Sequence, residues 1–466
     1  MIIIGLGSNV GDRLNHLRRA LAFLKEHPKI DVCHVSPVYE SDAQLLDNAP
    51  PSWNTTFFNA AVSCKTDLSP FSLLHELQQM EQHMGRTKWG HWSPRNIDLD
   101  ILLWGDISID TEALTIPHKQ LVDRPFVLWP VMDLFSNWPY PKERLEQWGS
   151  RFSGEAPFRT RQVPYRIDGS IFMGALNITP DSFSDGGQFY DADKAVARAK
   201  QLFASGAEVI DLGAESTRPD DNTHVTPEVE WARLEGVIKA LMLHWKGNEF
   251  RPKLCVDTRH HQTAEKAIAA GVDWINDVTG FRDRNLLKAV QGADVTVVSM
   301  HSLSIPPTQQ AVIPLDKDPI EYLLRWGERQ LALFAKHNIS KGRVILDPGV
   351  GFGKTPEQCL SIIKRAAELK RLGVPILVGH ARKSFHKVVT SVPAGERELE
   401  TALAAAHLFA QGVDYIRVHE VAYSLRAVAM QQRLNSIQTQ QEKNYGLLTR
   451  SQPATRSKTL TETSLL

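Results

Sequence analysis

Two aspartates near residue 100 have the spacing of a cation site. Asp98 and Asp100 alternate with Ile97, Leu99 and Ile101, so on a strand both carboxylates project from one face, about 6–7 Å apart. Neighbouring negative charges repel each other and favour a bound cation. Mg²⁺ commonly takes one or two carboxylates together with phosphate oxygens. The pair therefore predicts magnesium bound to a nucleoside triphosphate.

Cationic side chains lie close to this pair in the sequence and could neutralise phosphates. They are Arg86, Lys88, His91, Arg95, His118 and Arg124. The alternative is an exposed strand edge whose charges are simply solvated, because charged side chains are mostly found at protein surfaces. The residues alone leave both interpretations open.

A second set of polar side chains follows short apolar runs further along the chain. It comprises Asn177, Asp211, Glu215, Thr217, Arg218, Asp257, Asn276, Asp277, His301, Asp347, Lys383, Arg417 and His419. Three of them, Asp257, Asn276 and Asp347, offer acceptors and an amide suited to the donor-rich edge of a pterin. Asn177, together with the arginine and histidine that end the set, suits a diphosphate with Mg²⁺.

The elements that must hold the first set mix strands and helices without a regular alternation. We predict strands at 2–5, 60–64 and 96–104, and helices at 12–25 and 70–84. This order is typical of helices packed against a mainly antiparallel sheet. The N-terminal part is therefore predicted to be an α+β, ferredoxin-like domain.

The second set follows eight short, β-rich apolar runs. They lie at 171–176, 208–212, 253–256, 274–275, 295–299, 343–346, 376–378 and 415–418. Segments between them have helical spacing, at 192–204, 227–243, 263–270, 319–336 and 401–410. Eight such units predict a (β/α)8 TIM barrel, in which the carboxyl ends of the strands meet at one mouth. A doubly wound open sheet is the alternative, although it would more often have five or six strands.

Composition divides the chain into four parts. We predict a first domain at 1–148 and a linker at 149–164, where the chain turns polar and basic. The barrel would occupy 165–434. The tail, 435–466, is rich in Gln, Ser and Thr, has too few apolar residues to pack, and is predicted to be disordered.

Two glycine-rich turns resemble nucleotide-binding patterns without matching them. IIIGLGSNVG has Val10 where the dinucleotide fingerprint needs its third glycine. DPGVGFGKT has Pro348 where the phosphate loop needs its first glycine. Neither turn supports a Rossmann or P-loop fold.

Overall composition narrows the class of protein. Basic and acidic residues balance at 53 each in 466 residues, so no net field attracts nucleic acid or an anionic membrane. The four cysteines lie far apart without a CxxC spacing, which indicates a reducing compartment. We find neither a leader pattern nor an apolar run of about 20 residues. We therefore expect a cytoplasmic protein with no nucleic-acid or membrane partner.

The N-terminal segments GLGSN, FFNAAV, MGR…WSPRNIDLDIL and LTIPH…DRPFVLWP resemble the 6-hydroxymethyl-7,8-dihydropterin pyrophosphokinases. The resemblance implies transfer of a pyrophosphoryl group from ATP to the pterin hydroxymethyl group, with Asp98 and Asp100 as ligands of Mg²⁺. It also implies a nucleotide side formed by Gln78, Glu81, Arg86, Arg95, Thr115, His118 and Arg124. The loop between Arg86 and Arg95 departs from the family pattern at Lys88 and His91.

The same resemblance implies a pterin site in the first domain. Asn59 would hydrogen-bond the pterin, and Phe57 and Phe126 would lie near its ring. Plain core packing is the alternative for the two phenylalanines.

The C-terminal segments LNITPDSFSDGG, GAESTRP, VDT, IND, LDPGVGFGKT, GHARKS and IRVHEV resemble the dihydropteroate synthases. That family condenses 6-hydroxymethyl-7,8-dihydropterin diphosphate with p-aminobenzoate. The resemblance implies a pterin held by Asp257, Asn276, Asp347 and Lys383. It implies a leaving diphosphate stabilised by Asn177 with Mg²⁺, Arg417 and His419.

The p-aminobenzoate site is also implied by this resemblance. It would be bordered by Thr217, Arg218, Phe352 and Ser384. A helix N-cap is the alternative role for Ser384.

Together the two resemblances imply a bifunctional enzyme whose first product is the substrate of the second domain, with a homodimer formed through the barrel. A methyltetrahydrofolate-dependent methyltransferase is one alternative for the barrel, but it needs neither the TPDSFSDGG loop nor a pyrophosphokinase. A catalytically silent binding module is an alternative for the first domain. The intact Asp98 and Asp100 pair argues against it.

Overall fold

The computed structural model describes residues 2–45, 49–86, 93–134, 160–179, 192–215, 225–305, 307–308 and 310–436. These residues build an antiparallel sheet with its helices, followed by a parallel barrel. Residues 149–159 of the predicted linker and the tail from 437 onward lie outside the described residues.

The N-terminal sheet is antiparallel in every pairing. Its strands are β1 (Ile2–Ser8), β2 (Ile30–Val35), β3 (Tyr39–Ser41), β4 (Phe57–Thr66), β5 (Asp98–Trp104) and β8 (Thr160–Gln162). Their order is β5-β1-β4-β3-β8, with β2 also paired to β4. A separate ribbon consists of β6 (Ile109–Asp110) and β7 (Thr115–Ile116).

Helices cover both faces of this sheet. They are α1 (Arg13–Glu26), α2 (Pro70–His83) and α3 (Pro125–Leu134). The first two share a hydrophobic core with one face, and α3 packs on the other face. This arrangement confirms the predicted α+β, ferredoxin-like class.

The start of α1 shows why a helix forms at this point. The Asp12 side chain accepts a hydrogen bond from the backbone N–H of Asn15, which satisfies one of the free donors of the first turn. Leu14, Leu17 and Leu21 then recur at helical spacing and are buried. A capped, amphipathic helix therefore covers the sheet.

Strand β8 was not anticipated by the prediction of a linker at 149–164. Thr160–Gln162 pairs with β3, and the Arg161 side chain donates to Glu40 at 2.6 Å. Val163 and Tyr165 then join the N-terminal core. A polar stretch can form this strand because an edge position asks only for backbone pairing and leaves side chains in solvent.

The second sheet contains eight parallel strands, as predicted. They are β9 (Ile171–Asn177), β10 (Val209–Gly213), β11 (Lys253–Asp257), β12 (Trp274–Asp277), β13 (Thr296–Met300), β14 (Val344–Asp347), β15 (Leu377–Gly379) and β16 (Tyr415–Val418). Each strand pairs with its neighbours along the chain, and β16 returns to β9. A parallel bridge between Leu346 and Ile376 joins β14 to β15. The ring is thereby nearly closed, which excludes the open sheet.

Helices surround the barrel. They are α4 (Ala192–Ala204), α5 (Pro227–His244), α6 (His261–Ala269), α7 (Arg284–Gln291), α8 (Pro319–Lys336), α9 (Pro356–Lys364), α10 (Glu398–Ala410) and α11 (Val421–Ser436). Within the described ranges, no helix combines the length and apolar character that a membrane crossing requires.

A layer of side chains fills the barrel interior. It consists of Met173, Val209, Cys255, Trp274, Val298, Ile345 and Leu377. A larger apolar cluster lies between the strands and the helices. The polar strand ends are therefore held above a packed floor, as in other barrels of this architecture.

We expect Leu377→Ala to lower the free energy of unfolding of the barrel by about 2–5 kcal/mol, because Leu377 is fully buried and its removal leaves a cavity. Chemical denaturation measures the change. Leu243→Ala is the matched control, since Leu243 is 73% exposed, and should change the value by less than about 0.5 kcal/mol. Equal effects of the two substitutions would contradict the packed interior.

Candidate active sites

Asp98 and Asp100 lie on the same face of β5, as their spacing predicts. In the register with β1, Asp98 is opposite Gly7 and Asp100 is opposite Gly5. A Cβ atom on Gly7 would lie 3.4 Å from Asn59 Oδ1 and 3.7 Å from Asp98 Cβ. The glycines that resembled a dinucleotide fingerprint therefore leave space beside the carboxylates.

Two arginines neutralise this pair in part. Arg86 Nη1 and Arg95 Nη1 each lie 3.0 Å from Asp98 Oδ1. Arg86 also pairs with Glu81, whose Oε1 accepts a hydrogen bond of 2.8 Å from the backbone N–H of Leu99. Glu81 is thus tied both to the strand that carries the aspartates and to one of their arginine partners.

Burial makes the carboxylates of Asp100 and Glu81 difficult to ionise. It raises the pKa of Asp100 to about 7, with further contributions from the negative charges of Asp98 and Glu81. Burial also raises the pKa of Glu81 to about 7, although Arg86 opposes the shift. The site consequently has affinity for positive charge beyond its two arginines.

A cavity of about 360 Å³ opens at this face of the sheet. Its lining includes many of the predicted residues, namely Phe57, Asn59, Arg86, Arg95, Asp98, Asp100, His118, Arg124 and Phe126. Gln78, Glu81 and Thr115 are not in this lining. Asn9, Gln44 and Trp53 also line the cavity and were not predicted as site residues. Asn9 lies in the quoted GLGSN segment, whereas nothing in the sequence around Gln44 and Trp53 indicated a site. Lys88 and His91 lie outside the described residues.

Another part of the cavity wall has a fixed amide and two aromatic rings. The side-chain nitrogen of Asn59 donates to Ser41 Oγ at 3.0 Å, which orients the amide. Phe57 and Phe126 are half-buried rather than core residues. Burial and the neighbouring charge of Arg124 lower the pKa of His118. This wall can therefore hold a flat polar heterocycle.

In the barrel, Arg417 joins residues from three strands. Its Nε donates to Asp211 Oδ2 at 2.6 Å, and its Nη2 lies 3.4 Å from Asp257 Oδ2. Burial raises the pKa of Asp257, and the charge of Asp211 adds to this effect. Asn177 is nearby, because a Cβ atom on Gly213 would lie 3.8 Å from both Asn177 Oδ1 and Asp257 Cβ.

Lys383 and Asp347 form the other side of the barrel mouth. Lys383 Nζ donates to the Val350 carbonyl at 2.6 Å and lies 4.6 Å from the ring centre of Phe352. Burial lowers the pKa of Lys383 to about 8, and the charge of Asp347 opposes this shift. Asp347 Oδ1 accepts a hydrogen bond from the backbone N–H of Gly349 at 2.7 Å.

These two groups of residues share one site. A Cβ atom on Gly379 would lie 3.6 Å from Asp347 Oδ2 and 3.7 Å from Arg417 Cδ. Asn276 is beside Asp257 in the register of β11 with β12. Its side-chain oxygen is buried without a partner among the described residues. A buried, unpaired acceptor is costly, so this atom is available to a ligand that donates a hydrogen bond.

A buried lysine supports the loop after β14. Lys354 Nζ lies 2.7 Å from His301 Nδ1 and 2.8 Å from the Phe352 carbonyl. Burial lowers the pKa of Lys354 to about 7 and that of His301 to about 2. Near neutral pH the histidine is an acceptor, so the lysine can donate to both atoms and hold Phe352 in place.

The remaining predicted residues differ in their placement. Thr217 and Arg218 lie outside the described residues. Ser384 is exposed at the first position of a short 3₁₀ helix, Ser384–Val388. Lys383 occupies the N-cap position of that helix, so the N-cap alternative for Ser384 is wrong. His419 follows β16, and burial together with Arg417 lowers its pKa to about 3.

Comparison with known proteins identifies a relative for each part of the chain. Residues 3–136 match the model of the 7,8-dihydro-6-hydroxymethylpterin-pyrophosphokinase family, and residues 173–419 match that of the pterin binding enzymes. The folate synthesis bifunctional protein of Chlamydia trachomatis is 37% identical over 443 residues, covering 92% of this chain and 97% of the relative.

Two solved structures resemble the barrel. The dihydropteroate synthase of Anaplasma phagocytophilum with bound 6-hydroxymethylpterin-monophosphate is 31% identical with a TM-score of 0.52, covering 57% of this chain and 100% of that one. The Xanthomonas albilineans dihydropteroate synthase with 4-aminobenzoic acid is 32% identical with a TM-score of 0.52, covering 58% and 95%.

We expect Asp98→Asn to lower the pKa of Asp100 from about 7 toward its ordinary value, because one of the nearby negative charges is removed. Infrared titration of the carboxyl band in the ligand-free chain measures this, with Asp100→Asn identifying the band. Asp106→Asn, in an exposed turn, should leave the midpoint unchanged. An unchanged midpoint in Asp98→Asn would contradict the coupling of the two carboxylates.

The same pKa values fix the sign of a pH effect on stability. The folded chain retains protons that the unfolded chain has released between about pH 4 and about pH 7. The stabilisation that protonated Asp100 and Glu81 contribute to the free energy of unfolding is therefore complete below about pH 4. It is lost as the pH rises through about 7. Between about pH 4 and about pH 7, the free energy of unfolding of Asp98→Asn, measured by chemical denaturation, should fall less than that of the wild-type chain.

Proposed function

The chain belongs to the family of folate synthesis bifunctional proteins, and from this premise we propose how its two pockets divide the work. It is a bifunctional enzyme with a pyrophosphokinase domain and a dihydropteroate synthase domain. ATP pyrophosphorylates 6-hydroxymethyl-7,8-dihydropterin in the first reaction. The resulting diphosphate condenses with p-aminobenzoate in the second, giving 7,8-dihydropteroate. The observation that carries the proposal is the presence of two sites with buried carboxylates suited to pterin and phosphate chemistry.

In the first reaction, the hydroxymethyl oxygen attacks the β-phosphorus of ATP and AMP leaves. Asn59 would hydrogen-bond the pterin, and Phe57 and Phe126 would lie near its ring. Arg86 and Arg95 would stabilise phosphate charge, because arginine binds phosphate oxygens in a fixed fork geometry. The nucleotide side would also use Gln78, Glu81, Thr115, His118 and Arg124.

Asp98 and Asp100 are the residues that would hold Mg²⁺. They fit this ion because they share one face of β5 and because the pKa of Asp100 is raised by burial and by neighbouring carboxylates. A cation would relieve that repulsion. When bound, Mg²⁺ would neutralise the phosphate oxygens during transfer.

In the second reaction, the C–O bond to diphosphate would ionise and leave a pterin cation, whose methylene carbon the amine of p-aminobenzoate attacks as diphosphate departs. The pterin would be held by Asp257, Asn276, Asp347 and Lys383. Asn276 Oδ1 would accept from the heterocycle, which satisfies this unpaired buried atom.

The leaving diphosphate and the p-aminobenzoate would occupy neighbouring parts of the barrel mouth. Arg417 and His419 would stabilise the diphosphate, with Asn177 as a ligand of Mg²⁺. Thr217, Arg218, Phe352 and Ser384 would border p-aminobenzoate. The Phe352 ring is half of a cation–π contact with Lys383, so the two substrates would meet at this lysine.

A wider set of assignments is also proposed. The first domain would span 1–148, the linker 149–164, the barrel 165–434 and the tail 435–466. The cytoplasm is the proposed location, which agrees with four unpaired cysteines.

A homodimer would form through α10 and α11, which pack together and expose Leu399, Leu403, Tyr423 and Met430. Clustered exposed apolar side chains are typical of protein interfaces.

A coupled assay tests the two reactions. With hydroxymethyldihydropterin, ATP, Mg²⁺ and p-aminobenzoate, the full chain should release AMP and form dihydropteroate. Lys383→Ala or Asp257→Ala should reduce dihydropteroate formation at least about a hundredfold, the usual effect of removing one charge-stabilising group. AMP release should continue, because these residues are distant from the first pocket. Wild-type dihydropteroate formation in either variant would refute the barrel assignment.

We expect the double substitution Leu403→Glu and Met430→Glu to convert a dimer into a monomer, because it buries charge in the proposed apolar interface. Light scattering after gel filtration measures the molar mass. Leu315→Glu is the control, since Leu315 is 79% exposed elsewhere on the barrel. A wild-type chain that is monomeric, or a double variant that stays dimeric, would refute this interface.

A further inference from the structure

The barrel domain contacts the N-terminal domain through a short segment between α5 and β11, residues 248–250. Phe250 packs edge-on against Phe58 of β4, with ring centres 4.9 Å apart and an interplanar angle of 90°. It makes the same kind of contact with Tyr165, at 4.9 Å and 89°. Phe58 is almost completely buried by this packing. A residue of the second domain therefore packs against the strand that carries Phe57 and Asn59.

Arg13 extends this contact toward the pterin wall, which is the part of the first cavity lined by Phe57, Asn59 and Phe126. Its guanidinium lies 3.9 Å from the ring centre of Phe58 and 5.4 Å from that of Phe250. Its Nη1 donates to the Thr56 carbonyl at 2.9 Å and to Thr56 Oγ1 at 2.6 Å. Phe250 thus helps to hold the arginine that fixes the residue immediately before Phe57.

The loop before Arg13 connects the same region to the phosphate side. Asn9 Nδ2 donates to Thr55 Oγ1 at 2.9 Å, and Asn9 Oδ1 accepts from the backbone N–H of Arg95 at 2.7 Å. Glu249 of the barrel lies against this loop, because a Cβ atom on Gly11 would be 2.9 Å from its Oε2. Through Phe250 and Glu249, the barrel segment therefore contacts both Arg13 and the loop that contains Asn9, which support the pterin wall.

A separate ion pair fixes the two domains at this contact. Arg18 of α1 donates from Nη2 to Glu208 Oε1 at 2.7 Å and to the Arg166 carbonyl at 2.5 Å. Both acceptors lie outside the N-terminal sheet, and Glu208 directly precedes β10. This pair is half-buried, so solvent and salt screen it less than an exposed pair.

From these contacts we infer that Phe250 of the barrel is a positioning residue for the pyrophosphokinase, which completes the support of its pterin wall from another domain. It touches no substrate and acts through Phe58 and Arg13 on residues 55–59. The inference rests on the proposed pterin role of Phe57 and Asn59. It assigns to the barrel a function in the first reaction in addition to its own chemistry.

The test is a comparison of steady-state constants in the full chain. Phe250→Ala should raise the KM for hydroxymethyldihydropterin about three- to tenfold, the effect of losing edge-on aromatic contacts. The KM for ATP should change less than about twofold, as should the second reaction with supplied pterin diphosphate. Phe250→Tyr, which keeps the ring, should restore the wild-type KM. A rise confined to the KM for the pterin distinguishes a positioning role from a general loss of structure, which would affect all of these constants.

Phe71→Ala is the matched control, because Phe71 is 48% exposed on α2 and should leave all constants unchanged. If Phe250→Ala does not fold, shown by loss of the second reaction, Phe250→Leu takes its place with the same expected split. An unchanged pterin KM, or an equal rise in both KM values, would overturn the inference. Absence of AMP release from the wild-type chain would instead contradict the first reaction itself.

Discussion

Burial of neighbouring carboxylates is the constraint on which both pockets depend. Asp98, Asp100 and Glu81 are close together around strand β5 of the first sheet, and Asp211 and Asp257 are close together in the barrel. Buried charges are unfavourable unless they are paired. Arginines offset part of this repulsion in each pocket, and a ligand with positive charge or hydrogen-bond donors can offset more. Under the proposed function, the same arrangement would favour magnesium-bound phosphates at one site and a donor-rich heterocycle at the other.

Strand geometry turns this requirement into two sites that the sequence could predict. Alternation along β5 places Asp98 and Asp100 on one face because Ile97, Leu99 and Ile101 must be buried on the other. In the barrel, parallel strands bring their carboxyl ends to one mouth, so polar residues that follow apolar runs must meet there. Fold class and the main groups of candidate residues were therefore accessible from local spacing and from family resemblance.

Contacts between distant parts of the chain were not accessible in this way. The Arg417 and Asp211 pair joins β16 to β10 across the intervening β9, and the Lys354 and His301 pair joins the loop after β14 to the end of β13. Only the register of β1 with β5 shows that Gly5 and Gly7 lie opposite Asp100 and Asp98 and leave space beside them. Phe250 gave no chemical signal in the sequence, since its significance comes from the docking of one domain on the other. Local patterns indicate element type, whereas these interactions depend on tertiary packing.

A crystal structure of the full chain with Mg²⁺, a non-hydrolysable ATP analogue and 6-hydroxymethylpterin tests most directly whether the buried carboxylates bind magnesium in the first domain and pterin in the barrel. We expect a metal ion coordinated by Asp98 and Asp100 at about 2.0–2.1 Å, with a pterin beside Asn59. We also expect a pterin in the barrel that donates a hydrogen bond to Asn276 Oδ1. A metal bound away from both aspartates, or a barrel pterin that leaves Asn276 and Asp257 without contact, would contradict this expectation.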